Sequence, residues 1–334
     1  MKSLLEKLTA IPGPSGYENR IRSAIQAEIE KYTDDFNIDG LGNLIAHKRS
    51  LSSDSKNILL ITHMDEIGFI VTNRDKSGYA RFTNLGKVPP ASCPGRQVEF
   101  LDGDRGLIGI SPNQKNEDSV QLEDMFIDFG MIDKQKMSVK IGDIAVFAPS
   151  FADIGDCLVS KAMDGRVGAT ILIEILRRIN KSPNEITMIF SVQKQVGLRG
   201  STAVAIDNIP DMAIAIDITP EIKHPNQASN GVKLGHGPGI LLKSGRYIPK
   251  ASVKNALEHA ANSENIACQH VIRENDESEA AVIQKSYAGI NAGGLCVPCR
   301  YQHTAAEMVN MDDISNTVEL LYTVIMEPNL FTES

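Results

Sequence analysis

His63-Met64-Asp65 puts an imidazole and a carboxylate two residues apart, directly after the apolar run 57–62. A histidine that binds a metal through one ring nitrogen commonly gives its other nitrogen to a carboxylate, and this triplet has the residue types for both tasks. Asp217 follows the apolar run 212–216, Asp164 stands just before a helical stretch, and His303 comes shortly after the run 292–297. Ligands of open α/β sheets collect at the carboxyl ends of strands, which is where these side chains fall. One imidazole with carboxylates suits a divalent ion. Taken singly, each residue has a plainer reading. His63 and Asp65 could be a polar strand end, Asp164 a helix N-cap, Asp217 a turn residue and His303 a structural histidine. Four ligand-type residues at strand ends or helix starts favour one site over four accidents. Cys296-Val297-Pro298-Cys299 looks like half of a zinc motif, but the chain has no second Cys-x-x-Cys pair. These two cysteines read as strand packing residues.

The elements that must position these residues follow from the apolar pattern. Runs 57–62, 186–191, 212–216 and 292–297 are short and mostly apolar, as in strands covered on both faces. Helical stretches lie around them at 3–10, 17–32, 166–179, 251–262 and 312–326. The alternation predicts an α/β fold, a mixed, mostly parallel sheet covered by helices. Ser15, three residues before Glu18, has the spacing of a capping box for the second helix. Residues 69–157 are different. Short segments such as 97–101 and 143–147 are separated by turn signals such as Asp102-Gly103-Asp104. They predict an inserted β-rich module, a small barrel, leaving 1–68 and 158–334 as the α/β domain.

Composition narrows the function classes. The 334 residues carry a net charge of -8, which gives no electrostatic reason to expect a nucleic-acid partner. No apolar run approaches the length of a membrane span. The first eight residues have the spacing of an amphipathic helix and lack a signal-peptide core. Five cysteines, an odd number, fit reduced thiols and a cytoplasmic location.

The chain resembles the glutamyl-aminopeptidase or TET-aminopeptidase family, metallopeptidase family 42, which also contains chains labelled endoglucanase or deblocking aminopeptidase. The likeness runs nearly end to end. It rests on Gly13-Pro14-Ser15-Gly16-Tyr17-Glu18, Leu41-Gly42-Asn43, His63-Met64-Asp65-Glu66-Ile67-Gly68-Phe69 and Asp124-Met125-Phe126-Ile127-Asp128 with Gly130. It continues through Lys161-Ala162-Met163-Asp164, Val196-Gly197-Leu198-Arg199-Gly200, Ala215-Ile216-Asp217, Gly235-His236-Gly237-Pro238 and Arg300-Tyr301-Gln302-His303.

The resemblance implies a zinc-exopeptidase-like fold and release of N-terminal amino acids from peptides. It implies that His63, Asp164 and Asp217 hold one zinc or cobalt ion and that Asp65 orients His63. Asp164 would bridge to a second ion, held also by His303 and a glutamate, with a further glutamate as general base. Two such metals, about 3.5–4 Å apart, polarise the scissile carbonyl and supply hydroxide. It also implies dimers made through the inserted domain and homo-oligomers up to a dodecamer. The family's Gln-Glu-Glu-Val-Gly is here Gln193-Lys194-Gln195-Val196-Gly197. Lys194 replaces the base, and Gln195 replaces the second metal's carboxylate. Gly165 follows the bridging aspartate where an acid or amide is usual, and Glu277-Ser278-Glu279-Ala280 stands for Gly-Thr-Asp-Ala. The expectation is therefore one firm metal site, a doubtful second, and impaired or lost aminopeptidase activity. Two alternatives stay open: a non-catalytic binding or assembly subunit, and a hydrolase of changed substrate that uses Lys194.

Overall fold

The computed structural model describes residues 1–75, 78–111, 120–131, 138–204, 209–221, 231–274 and 278–327. Glu277 of the divergent tetrad lies outside them. An eleven-stranded mixed sheet organises the α/β part. At its centre Glu185–Ser191, Asn57–His63, Met212–Pro220 and Ala292–Arg300 run parallel in that spatial order. Antiparallel strands extend both sides: Leu44–Lys48 and Asp35–Ile38 on one, Glu307–Asn310, Cys157–Ser160 and Ala152–Ile154 on the other.

Side chains alternate between the faces of a strand, so a strand covered on both faces must be apolar throughout. Residues 58–61 of the strand Asn57–His63 show this directly. Ile58 and Leu60 enter one core while Leu59 and Ile61 enter the other. Ile214 and Ile216 oppose Ala213 and Ala215 in the same way. The first core is closed by helices Lys2–Ala10, Asn19–Ile29, Met163–Arg178 and Met311–Met326, and the second by the short helix Glu279–Lys285. The expected α/β fold is present.

Six strands form a closed barrel: Gly68–Arg74, Ala80–Leu85, Met125–Asp128, Arg105–Ile110, Gln97–Phe100 and Ile144–Phe147. Phe69 fills its middle, edge-on to Phe82 at 5.2 Å and to Phe147 at 5.1 Å. Closure removes exposed strand edges, which suits a module of short strands. Ala152–Ile154 lies inside the span expected for the insert, yet it pairs with Cys157–Ser160 in the large sheet. Among the described residues no helix is long and apolar enough to cross a membrane.

One local expectation is corrected. Ser15 and Glu18 do not form a capping box, and Asn19–Ile29 has no side-chain cap at its start. The Ser15 hydroxyl donates to Asp65 Oδ2 at 2.5 Å, and Glu18 Oε1 accepts from the amides of Gly16 and Gln193. Both side chains are buried, and each has a partner distant in sequence, Asp65 for Ser15 and Gln193 for Glu18.

Candidate metal centre

The parallel centre of the sheet delivers two of the donors. His63 ends Asn57–His63, and Asp217 lies toward the carboxyl end of the neighbouring strand Met212–Pro220. His63 is fully buried. Its Nδ1 lies 3.1 Å from the Asp65 carbonyl oxygen and 3.3 Å from Asp65 Oδ1. The ring is thereby turned so that Nε2 lies 2.9 Å from Asp164 Oδ1 and 3.7 Å from Asp217 Oδ1.

Asp164 arrives from a break in the backbone. Ala162 is left-handed, Asp164 is extended at φ -59° and ψ 114°, and Gly165 is at φ 89°. The helix proper begins after this kink, so Asp164 is no N-cap. Gly165 cannot be another residue without rearrangement. A Cβ there would stand 2.9 Å from the His63 ring in a left-handed conformation that glycine tolerates.

Every side of the Asp164 carboxylate is occupied by protein. Oδ1 faces His63 and, at 3.5 Å, the Lys194 ammonium. Oδ2 accepts from Gln195 Nε2 at 2.8 Å, lies 3.0 Å from His303 Nε2, and has Gln302 Nε2 at 3.4 Å. Lys194 Nζ also lies 3.3 Å from Asp217 Oδ1. The loop that carries Lys194 and Gln195 is pinned through its backbone. The amide of Lys194 donates to Asp65 Oδ1 at 2.9 Å and that of Gln195 to Asp65 Oδ2 at 3.0 Å. Asp65 therefore holds both the imidazole and the loop.

Burial alone would raise the Asp164 carboxyl, but the Lys194 ammonium and the His63 imidazole hold it well below the usual carboxylate range. Asp217 behaves alike: burial opposes ionisation, and Lys194 and His63 overcome it. Burial and Lys194 push the His63 imidazole down, yet Asp164 and Asp217 carry it well above its ordinary value. Asp65 is also held low against burial, through His63, Ser15 and the Gln195 amide. Carboxylates at such a site are ionised and ready as ligands.

Ligand atoms of His63, Asp164 and Asp217 all lie within 4.8 Å of one another. One imidazole and two ionised carboxylates, all buried, fit a divalent ion. A second set would comprise His303, Asp164 and Gln195. Its amide is neutral and turned as a donor toward Asp164, so this set is one anionic donor short. The nearby Glu307 does not fill the gap. Its carboxylate accepts from the amides of Asp164 and His303, and burial with the neighbouring Asp164 pushes it up to about 7.

The structure thus brings His63, Asp65, Asp164, Lys194, Gln195, Asp217 and His303 together. Cys296 pairs in register with Asp217, and Cys299 lies three residues on along the same strand. They enter opposite cores of the sheet, three residues apart on one strand, and cannot share an ion. Glu307 escaped sequence reasoning as part of this neighbourhood, and Glu279, read there only as part of the divergent tetrad, joins it. Glu307 sits between Ala306 and Met308, and a lone acid in an apolar stretch four residues past His303 was the available signal. Glu279 opens the helix Glu279–Lys285 and accepts from the hydroxyl of Ser191, which is paired in register with His63. Burial pushes its carboxyl up to about 7, against the pull of His63.

The chain is similar in sequence and fold to known proteins. The sequence pattern of M42 glutamyl aminopeptidases matches residues 42–320. A relative from Acetivibrio thermocellus, whose own aminopeptidase assignment is provisional, is 38% identical over 327 residues, covering 97% of this chain and 98% of that one. The aminopeptidase APDkam598 of the archaeon Desulfurococcus kamchatkensis superposes with a TM-score of 0.92 at 30% identity, covering 98% of this chain and 96% of its own. The TET1 peptidase of Pyrococcus horikoshii, which can assemble into a tetrahedron or a large octahedral shell, superposes with a TM-score of 0.87 at 30% identity. That match covers 98% of this chain and 99% of the other.

Proposed function

This chain belongs to the M42 glutamyl aminopeptidase family, and on that premise we propose that it is a metal-dependent hydrolase for the N-terminal amine end of peptides, with catalysis reduced by Lys194 and Gln195. The convergence of His63, Asp164 and Asp217 carries the metal part of this reading. We assign these three to one divalent ion, zinc or cobalt, with Asp65 orienting His63. A bound ion would polarise a scissile carbonyl and make hydroxide available near neutral pH. The set around His303 and Gln195 lacks a second anionic donor, which supports one ion per chain.

The chain's own residues are poorly suited to the proton transfer. Lys194 brings an ammonium to the carboxylates where, by family likeness, an anionic base would stand. Loss of a positioned base costs about 10²–10⁴ in rate. The same ammonium repels the α-ammonium of a peptide in a site with little water. For assembly, the likeness to the TET1 peptidase supports a homo-oligomer, and we assign its contacts to the barrel within residues 69–157. We place the protein in the cytoplasm.

The test is a panel of aminoacyl-anilides with metal analysis, run on the natural chain and on Lys194→Glu with Gln195→Glu. The natural chain should release little amine, and the double variant should gain about 10²–10⁴ in rate. Robust, chelator-sensitive release by the natural chain, abolished in His63→Ala, would remove the claim of reduced catalysis. A natural chain that is inactive and a double variant that gains nothing would favour a binding or assembly subunit.

A further inference from the structure

Three groups converge on the same carboxylate oxygens. His63 Nε2 lies 2.9 Å from Asp164 Oδ1 and 3.7 Å from Asp217 Oδ1, while Lys194 Nζ lies 3.5 and 3.3 Å from those two atoms. A divalent ion held by the His63, Asp164 and Asp217 donors needs these oxygens too. We propose that Lys194 is a built-in counter-ion of the Asp164–Asp217 pair, so that its ammonium and a divalent metal exclude one another. The proposal rests on the metal reading above and adds a condition to it: a metal enters only by displacing Lys194.

Two buried carboxylates this close cannot both stay ionised without a nearby positive charge. Where a metal supplies that charge, the protein is unstable or rearranged without it. Here the chain supplies the charge itself, from a side chain only 9% exposed. The lysine is placed by construction. Asp65 holds the amides of both Lys194 and Gln195, and Glu18 holds that of Gln193, so the backbone under the ammonium is fixed from two sides. Gln193 takes a left-handed conformation at φ 55° where the loop leaves its strand. The ammonium sits at the end of a four-carbon stem with rotatable bonds, and rotation about them is the way out when a metal competes. The remaining donors reinforce the metal-free arrangement. Gln195 and Gln302 place amide nitrogens, and His303 a ring nitrogen, around Asp164 Oδ2.

The experiment compares the full-length natural chain, Lys194→Met and Lys194→Arg after chelator treatment. Zinc affinity is read by competition with a chromophoric chelator, and thermal unfolding is followed with and without zinc. Lys194→Met should bind zinc about 10- to 100-fold more tightly than the natural chain, the scale on which groups touching a metal's ligands alter its affinity. Its metal-free form should unfold at a lower temperature, and zinc should restore it. Lys194→Arg keeps the charge and should resemble the natural chain in both readouts. Equal zinc affinity in all three proteins would overturn the proposal while leaving the metal site intact. No zinc binding by any of them would remove the metal reading and the proposal with it. Should Lys194→Met fail to fold without zinc, Lys194→Gln takes its place: tighter zinc binding than the natural chain supports the proposal, and equal affinity overturns it.

Discussion

Glu66 and His63 lie three residues apart and face two different clusters of buried charge. Behind the strand end, Glu66 Oε1 accepts from the Gly13 amide, and both carboxylate oxygens meet Lys161 Nζ, at 2.9 and 2.7 Å. Arg166 adds a contact at 3.4 Å and reaches the Leu8 carbonyl. The three charged side chains are at most 2% exposed. In front, Asp164 and Asp217 share one imidazole and one ammonium. The rear cluster joins segments around residues 8–13, 66 and 161–166. The front cluster gathers ligand atoms around one point, and Lys194 reaches it by a rotatable stem. The rear one is structure. The front one can change its cation and keep the fold.

The largest way to break this comparison is Glu66→Ala. It leaves Lys161 and Arg166 as buried cations without their carboxylate, a loss of about 3–5 kcal/mol. A large drop in the unfolding midpoint is expected, with or without zinc. If zinc restored the midpoint, the rear cluster would be coupled to the metal site after all.

Glu279 asks whether the front cluster also holds a neutral acid. Its carboxyl sits at about 7 in the folded chain against 4.5 as the ordinary value. The folded state then keeps a proton that the unfolded state has released between those values. The contribution of Glu279 to stability falls as pH rises from about 4.5 to about 7, by something of the order of 3 kcal/mol. Glu279→Gln retains a hydrogen-bonding group beside Ser191 but cannot titrate. Unfolding midpoints measured from pH 4 to 8 should show a shallower fall in this variant. An unchanged slope would place the proton elsewhere.

Asp65 belongs to both clusters by position and separates their roles by effect. Asp65→Ala removes the carboxylate beside His63 Nδ1 and the anchor of the Lys194 and Gln195 amides. In a Lys194→Met background, zinc affinity should fall about 10- to 100-fold. An unchanged affinity would mean that the His63 ring is oriented by the Asp65 carbonyl oxygen alone.

The contrast also explains what could be read from the residues. The parallel centre of the sheet was legible because strands covered on both faces leave mostly apolar runs, as in 57–62 and 212–216. His63 and Asp217 were legible because polar ligand types follow those runs at the end where sites form. Asp164 was legible as a candidate only, since its helix-start context fits a cap equally well. What decides is the kink at Asp164 and Gly165, which is a property of backbone angles. The rear cluster was invisible. Glu66, Lys161 and Arg166 pair across about a hundred residues, and no local pattern marks buried charges as partners. Ser15 and Glu18 misled for the same reason. Their spacing imitates a local cap, while their hydrogen bonds run to residues 65 and 193.

Ser15 provides the finest test, because it touches the front cluster only through Asp65. Its hydroxyl donates to Asp65 Oδ2, which also accepts from the Gln195 amide. Ser15→Ala removes one donor from a carboxylate that keeps its backbone partners and its neighbouring imidazole. The cost should be that of one hydrogen bond to a charged group, about 1.5–3 kcal/mol at the upper end and closer to 1 kcal/mol where other donors remain. The unfolding midpoint should therefore drop by much less than in Glu66→Ala. Zinc affinity in the Lys194→Met background should fall by less than in Asp65→Ala, since the carboxylate itself stays. An effect on zinc as large as that of Asp65→Ala would mean that Ser15, and not the loop amides, sets the position of Asp65. The N-terminal segment would then be part of the metal site, and the division between a fixed rear and a changeable front would have to be redrawn through Ser15.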